Sequence, residues 1–174
     1  KRVLLICSGT PTDPAYMDQY RGVTSIFHEH RVGLDVEFMD SKRFHGPEHT
    51  RRFRDMLVAK YTNISERFDL VMTADDRAAM FVQEQRDELF GELPQVFFGV
   101  NDPSFLGRMR YPQLTTGVLE AVSIDRTIEL CQQLFPAVVR IEAIVDGSAR
   151  GQAALKDYLA LESQYPDLFL SASV

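Results

Sequence analysis

Short runs of consecutive apolar residues alternate with segments of helical periodicity along this 174-residue chain, and that alternation restricts the fold more than any other feature. Residues 3–7, 36–39, 70–73, 96–100, 141–145 and 168–170 read as strands. Several are apolar at successive positions rather than every second one, so both faces of the sheet must be covered, the mark of parallel strands. Between them, helical faces collect Tyr16, Tyr20, Val23 and Phe27, then Phe53, Met56, Leu57, Tyr61 and Ile64, then Ala78, Phe81, Val82 and Leu89. Ile128, Cys131 and Phe135 form a fourth face, and Leu155, Tyr158 and Leu159 a fifth. Stop signals agree: Arg31-Val32-Gly33 closes the first helix, Gly91-Glu92-Leu93-Pro94 the third and Phe135-Pro136 the fourth. The expected fold is α/β, a doubly wound parallel sheet with right-handed crossovers.

Such sheets bind ligands at the carboxyl ends of their strands, which singles out loops 8–14, 40–47, 73–76, 99–104 and 146–149. One interval breaks the rhythm. From 101 to 122 the chain is loop-like and then briefly extended over 113–120, longer than an ordinary connection between a helix and a strand. It reads as a crossover between two lobes, giving a first lobe over 1–102, a hinge segment over 103–122 and a partial second lobe over 123–174.

Charge and apolar content remove several function classes. The net charge of −6 argues against a nucleic-acid partner, which needs clustered positive charge. No run of about 18 apolar residues is present, so no segment reads as a membrane-spanning helix. The chain opens on a strand-like segment rather than a signal peptide, so an exported protein would have lost its leader. Cys7 lies in a strand pattern and Cys131 on a buried helical stripe; they read as two reduced core thiols, with no CxxC spacing.

The rim loops carry the candidate site. Ser8, Gly9 and Thr10, with Thr12 and Asp13 behind them, supply hydroxyls and free backbone amides ahead of a helix start, an arrangement suited to a carboxylate or other polar group. The same residues also make an ordinary capped turn, with Asp13 as N-cap and Pro14 in the first helical position. The loop is neither GxGxxG nor a Walker loop, and no arginine stands behind Cys7 to serve a phosphatase-type nucleophile. Asp75-Asp76 and Asn101-Asp102 follow adjacent strands and should share one rim; ligand contact suits them as well as acid–base chemistry does, and Asp75 also reads as an N-cap.

Other motifs point to surface roles. His45-Gly46-Pro47-Glu48-His49 spells HxxEH, but Pro47 suits a helix start and leaves His45 outside it, so no metal is expected. His28 and His30 flank Glu29 near a helix end, and Arg51, Arg52 and Arg54 are balanced by Glu48 and Asp55 as a solvated face.

Taken in order, Phe68-Asp69-Leu70-Val71-Met72-Thr73-Ala74-Asp75-Asp76, Pro94-Gln95-Val96-Phe97-Phe98-Gly99-Val100-Asn101-Asp102, Thr116-Gly117-Val118-Leu119-Glu120, Leu134-Phe135-Pro136 and Val145-Asp146-Gly147 resemble one family across nearly the whole chain. It is the ABC-transporter substrate-binding-like domain of the type I periplasmic-binding-protein fold, with the first lobe complete and the second partial. That family occurs as binding lipoproteins and as the extracytoplasmic sensors of membrane histidine kinases and diguanylate cyclases. The resemblance implies a two-lobed receptor without cofactor or catalysis, its ligand between strand-end loops. Carried over by position, Ser8, Gly9, Thr10, Ala74, Asp75, Asn101 and Asp102 would line the first lobe's side. Thr116, Gly117 and Glu120 would lie near the hinge, and Asp146 on the second lobe.

The wording Phe-Phe-Gly-Val-Asn-Asp and Thr-Gly-Val-Leu-Glu is nearer the sensor branch. The expectation is therefore an extracytoplasmic sensor of a small polar or amino-acid-like ligand, attached to the membrane by a flanking segment, with a homodimer as a further partner state. The alternative is the substrate-binding component of an ABC transporter. An α/β hydrolase or flavodoxin-like enzyme is the third reading, disfavoured because the rim shows neither a nucleophile–base pair nor a phosphate cradle.

Overall fold

Val3, Leu4, Leu5, Ile6 and Cys7 are all buried in β1 (Arg2–Cys7), which explains why that run is apolar at every position. In the computed structural model, which describes residues 1–121, 123–145, 147 and 149–173, β1 is an inner strand with helices over both its faces. The chain divides into two compact units, Lys1–Ala121 and Val122–Val174.

In the first unit, β2 (Gly33–Phe38), β1, β3 (Leu70–Ala74), β4 (Gln95–Val100) and β5 (Thr115–Leu119) lie in that order, all parallel. The order reverses direction between β1 and β3. Helix α1 (Pro14–Glu29) covers one face, where Tyr16 and Tyr20 pack with Leu5, Cys7, Val36, Phe38, Met72 and Phe98. Helices α2 (Pro47–Lys60) and α4 (Asp76–Glu84) cover the other, setting Phe53, Leu57, Phe81 and Val82 against Leu4, Ile6 and Val71. Each such side chain stabilises the fold by about 1.5–3 kcal/mol.

Local chemistry accounts for most boundaries. Asp13 caps α1 by accepting the Ala15 N–H (3.1 Å), with Pro14 in the first helical position. That helix is closed by Arg31 in the left-handed region (φ 53), whereas Gly33 is the first residue of β2. The second helical face is interrupted: α2 ends at Lys60, and Ile64 enters the core from a separate turn, α3 (Ile64–Arg67). The third helix ends earlier than its periodicity suggests, α4 giving way at Gln85 to a π-helical turn over Arg86–Phe90. Arg86 is fully buried there, donating to the carbonyls of Gly91 (3.1 Å) and Leu93 (2.6 Å) and lying over the Tyr111 ring. It thereby holds the turn that feeds β4.

The interval 103–122, expected as a crossover, belongs largely to the first sheet. Its extended stretch is β5, the edge strand beside β4, reached through the short helix α5 (Phe105–Arg108), whose Phe105 packs on Phe97 and Val100. A buried amide network seats it. Gln83 donates to Gln95 Oε1 (2.5 Å) and Thr115 Oγ1 (3.1 Å), accepts the Arg110 N–H (2.9 Å), and Gln95 donates to Thr73 Oγ1 (3.2 Å). Buried amides so fully paired specify one register.

The second unit contains α6 (Ile124–Leu134), β6 (Arg140–Ile144), α7 (Ala149–Ala160) and β7 (Phe169–Ser173), with β6 and β7 parallel. Ile128, Tyr158, Leu168 and Leu170 form its core with Ile141 and Ala143. Arg140, Glu142 and Ile144 alternate onto an exposed face, Ile144 at 88% exposure.

Candidate functional site

The carboxyl ends of β1, β3 and β4 meet where the strand order reverses, and backbone and carboxylate hydrogen bonds join their loops into one rim. Ser8 is buried at the end of β1. Its hydroxyl donates to the Ala74 carbonyl (3.1 Å) and accepts the Ala78 N–H (2.9 Å), while its carbonyl accepts from both Ser41 N and Ser41 Oγ at 2.8 Å. The hydroxyl's donor hydrogen and one of its acceptor positions are thus taken up inside the fold, where they tie the end of β1 to β3 and α4. Ala74 is likewise buried, its carbonyl used by Ser8.

Asp75 follows β3 in a backbone conformation (φ 77, ψ 164) that non-glycine residues avoid. Its amide donates to the Phe98 carbonyl (2.9 Å), and its carboxylate accepts the Asp76 N–H (2.7 Å). The turn is thus clamped to β4 at a cost of about 1–3 kcal/mol in strain. Asp76 completes the clamp, its carboxylate accepting the amides of Asn101 (3.1 Å) and Asp102 (3.0 Å). Asn101 in turn donates from Nδ2 to the Glu120 carbonyl (3.4 Å), and the Glu120 amide donates to the Val100 carbonyl (2.8 Å). Asp75, Asn101, Asp102 and Glu120 therefore stand together along three strand ends.

Gly9 and Thr10 occupy the neighbouring loop, where the Gly9 carbonyl accepts the Asp40 N–H (3.2 Å) and the Thr10 and Thr12 hydroxyls pair at 3.0 Å. Thr10, Pro11, Thr12, Lys42 and Arg43 line an open recess of about 410 Å³. Its cations are engaged: Lys42 pairs with Asp13 (2.6 Å) and Arg43 clamps Asp40. Each holds its partner carboxyl below the ordinary range, chiefly through the hydrogen bond. Asp102 is lowered too, first by hydrogen bonds from Ser104 and then by Arg108. A larger recess of about 450 Å³ runs along α2 and α4, where Arg51 and Arg54 are paired with Glu48, Asp55 and Glu88.

Two of the expected residues are set back from the rim. Thr116 and Gly117 lie within β5, opposite Val96 and Phe97, and the reason for Gly117 is steric: a Cβ there would sit 2.1 Å from the Phe97 carbonyl oxygen. Asp146 lies outside the described residues. The residues that sequence reasoning passed over are Asp76 as the loop clamp and Gln19 of α1, whose Nε2 would be 3.6 Å from a Cβ on Gly99. Gly99 itself has φ 67, a left-handed position in mid-strand that glycine suits.

Chemistry that needs a strong nucleophile finds poor support in these groups. Burial pushes the Cys7 thiol up to about 12, and the Ser8 hydroxyl meets only backbone groups. His49 Nε2 lies 2.5 Å from the Met39 carbonyl oxygen as its donor, and α2 starts at Pro47, so His45 and His49 do not share a helical face.

No family model matches the chain, and no curated protein matches it in sequence. Solved structures do match in fold. The ABC domain in complex with L-Trp from Streptococcus pneumoniae superposes with a TM-score of 0.66 at 17% identity, over 99% of this chain and 56% of that one. A ligand-free, open substrate-binding protein with adhesive properties from Clostridium difficile gives 0.68 at 14% identity, over 99% and 57%. A solute-binding protein of an ABC transporter from Rhodopseudomonas palustris, in complex with 3,4-dihydroxybenzoic acid, gives 0.62 at 10%, over 98% and 46%. The chain spans about half the length of these proteins. In fold it is a partial type I periplasmic-binding-protein-like structure, similar to the substrate-binding proteins of ABC transporters.

Proposed function

We propose that this chain is a ligand-binding module of the transport type, taking a small polar or amino-acid-like solute at the rim of its first unit. The observation that carries the reading is the strained turn at Asp75, locked to β4 by the Asp75 amide and to the next loop by Asp76, at the strand ends where sheets of this order collect ligands. Solved neighbours whose names specify a transport role and a bound small molecule support it. They favour the transporter alternative over the sensor of a kinase or cyclase, which rests on sequence wording alone. On this reading Lys1–Ala121 is the first lobe, β5 included, and the contact residues are Gly9, Thr10, Asp75, Asn101, Asp102 and Glu120. The module works outside the cytoplasm, attached to the membrane through flanking sequence.

A thermal-shift screen of amino acids, purines and small carboxylates tests the reading, because a selective binder raises the melting point by mass action. Asp75→Ala and Asn101→Ala should each weaken the binder found by about tenfold or more. Unchanged affinity in both variants would remove this rim from the binding site.

A further inference from the structure

We infer that Asp35 and Glu37 guard the outer edge of the first sheet, keeping β2 from pairing with the β2 of a second copy of this chain. The inference concerns the sheet edge rather than the rim and does not depend on the binding-module reading. Among the described residues β2 pairs only with β1, and the amides of Gly33 and Met39 donate toward that neighbour, to the carbonyls of Lys1 (2.9 Å) and Cys7 (2.8 Å). Parallel pairing turns every second residue's backbone groups the same way, so the N–H and C=O groups of Leu34, Val36 and Phe38 face outward. Their side chains lie on the α1 face, packed beside Leu5, Cys7 and Tyr16. An apolar edge with a row of outward backbone groups is a template for a further strand.

A second copy fits that template. Turned antiparallel about Val36, it would set Val36 against Val36 and Leu34 against Phe38, with the outward groups of all three residues bonded. The same register brings Asp35 opposite Glu37, twice, on the other face, at the non-hydrogen-bonded positions where side chains approach most closely and like charges repel. These carboxylates stand where the core would otherwise take apolar side chains: Asp35 is level with Leu4 and Glu37 with Ile6, and both of those neighbours are fully buried in the α2 side of the core. Glu37 is only 7% exposed, accepting from Lys60 Nζ and Tyr61 Oη at 2.5 Å each, and Asp35 pairs with Arg2 Nη2 at 2.7 Å. The side chains of Lys60 and Arg2 stay 53% and 43% exposed, so an added strand would take both cations out of water as well as confronting the carboxylates. A pair buried like Glu37 and Lys60 adds little stability over apolar residues of similar volume, so its effect falls on what the edge excludes.

Two sets of substitutions remove the guard without changing net charge: Glu37→Leu with Lys60→Met and Tyr61→Phe, and Asp35→Val with Arg2→Met. Sedimentation velocity over a concentration series compares their self-association with that of the parent, and hydrogen exchange at Leu34, Val36 and Phe38 shows whether β2 is the contact. The expected result is that both sets fold, with urea midpoints near that of the parent, and self-associate about tenfold or more tightly, the three outward amides slowing as concentration rises. Folded variants that sediment as the parent does, or that associate while those amides exchange as before, would overturn the inference. Loss of folding in both sets would overturn it too, because the charges would then serve the stability of the fold rather than its edge.

Discussion

Replacing Gly117 by alanine tests whether the edge strand is held in place as the structure implies. The added Cβ would lie 2.1 Å from the Phe97 carbonyl oxygen and 2.5 and 2.7 Å from Cγ and Cδ1 of its ring. Phe97 is buried against Phe105 and Val100, so its ring has no free direction to move in. Relief requires β5 to withdraw by about 1 Å, enough to lengthen ladder bonds near 2.9 Å beyond hydrogen-bonding range. Overpacking of this kind costs about 1–3 kcal/mol, and two weakened ladder bonds add about 1 kcal/mol each. Edge strands can yield locally, which places the total at about 2–4 kcal/mol and the fall in melting temperature at roughly 10 °C. Calorimetry measures the midpoint. Hydrogen exchange localises the damage, since amides of residues 115–119 should lose protection while those of β1 and β3 keep it. The shift of β5 also carries Glu120, so ligand affinity should fall with stability. A midpoint within 2 °C of the parent, with β5 still protected, would refute the steric account.

Asp75→Gly should be at least as stable as the parent, because glycine adopts φ 77 without strain and is nearly as good an N-cap, whereas Asp75→Ala keeps the strain and loses the cap; urea unfolding should separate the two by about 1 kcal/mol or more. Asp76→Ala should cost about 1–3 kcal/mol in the same assay by leaving the Asn101 and Asp102 amides without their acceptor, and Asp76→Asn should recover part of it. The Cys7 thiol ionises near 9.0 when unfolded and near about 12 when folded, so its contribution to stability is fully present below pH 9 and is lost as the pH rises towards 12. Melts across that range should fall less steeply in Cys7→Ala, and native Cys7 should resist thiol reagents at pH 8 while the half-buried Cys131 reacts.

The sheet could be read from β1, β3 and β4 because an inner parallel strand is apolar on both faces, and that pattern is local to the chain. The start of α1 was equally legible, since Asp13 and Pro14 act within one turn. So was the sharing of one rim by Asp75 and Asn101, which follows from parallel strands ending on the same side. What the sequence alone left open depends on partners distant along the chain. Thr115–Leu119 is legible as extended, but its place as the edge strand of the first sheet depends on Gln83, Gln95 and Thr115 pairing across 32 residues, and on Gly117, which lets its backbone approach Phe97. Ser8 has the composition of a ligand contact, and only the fold shows its hydroxyl joined to Ala74 and Ala78. Gln19 reads as an ordinary polar residue of a helix, and only the folding of α1 beside the end of β4 places its amide over Gly99. Local propensity and patterning determined the layers; the identity of the groups that face a ligand was decided by which loops the crossovers bring together.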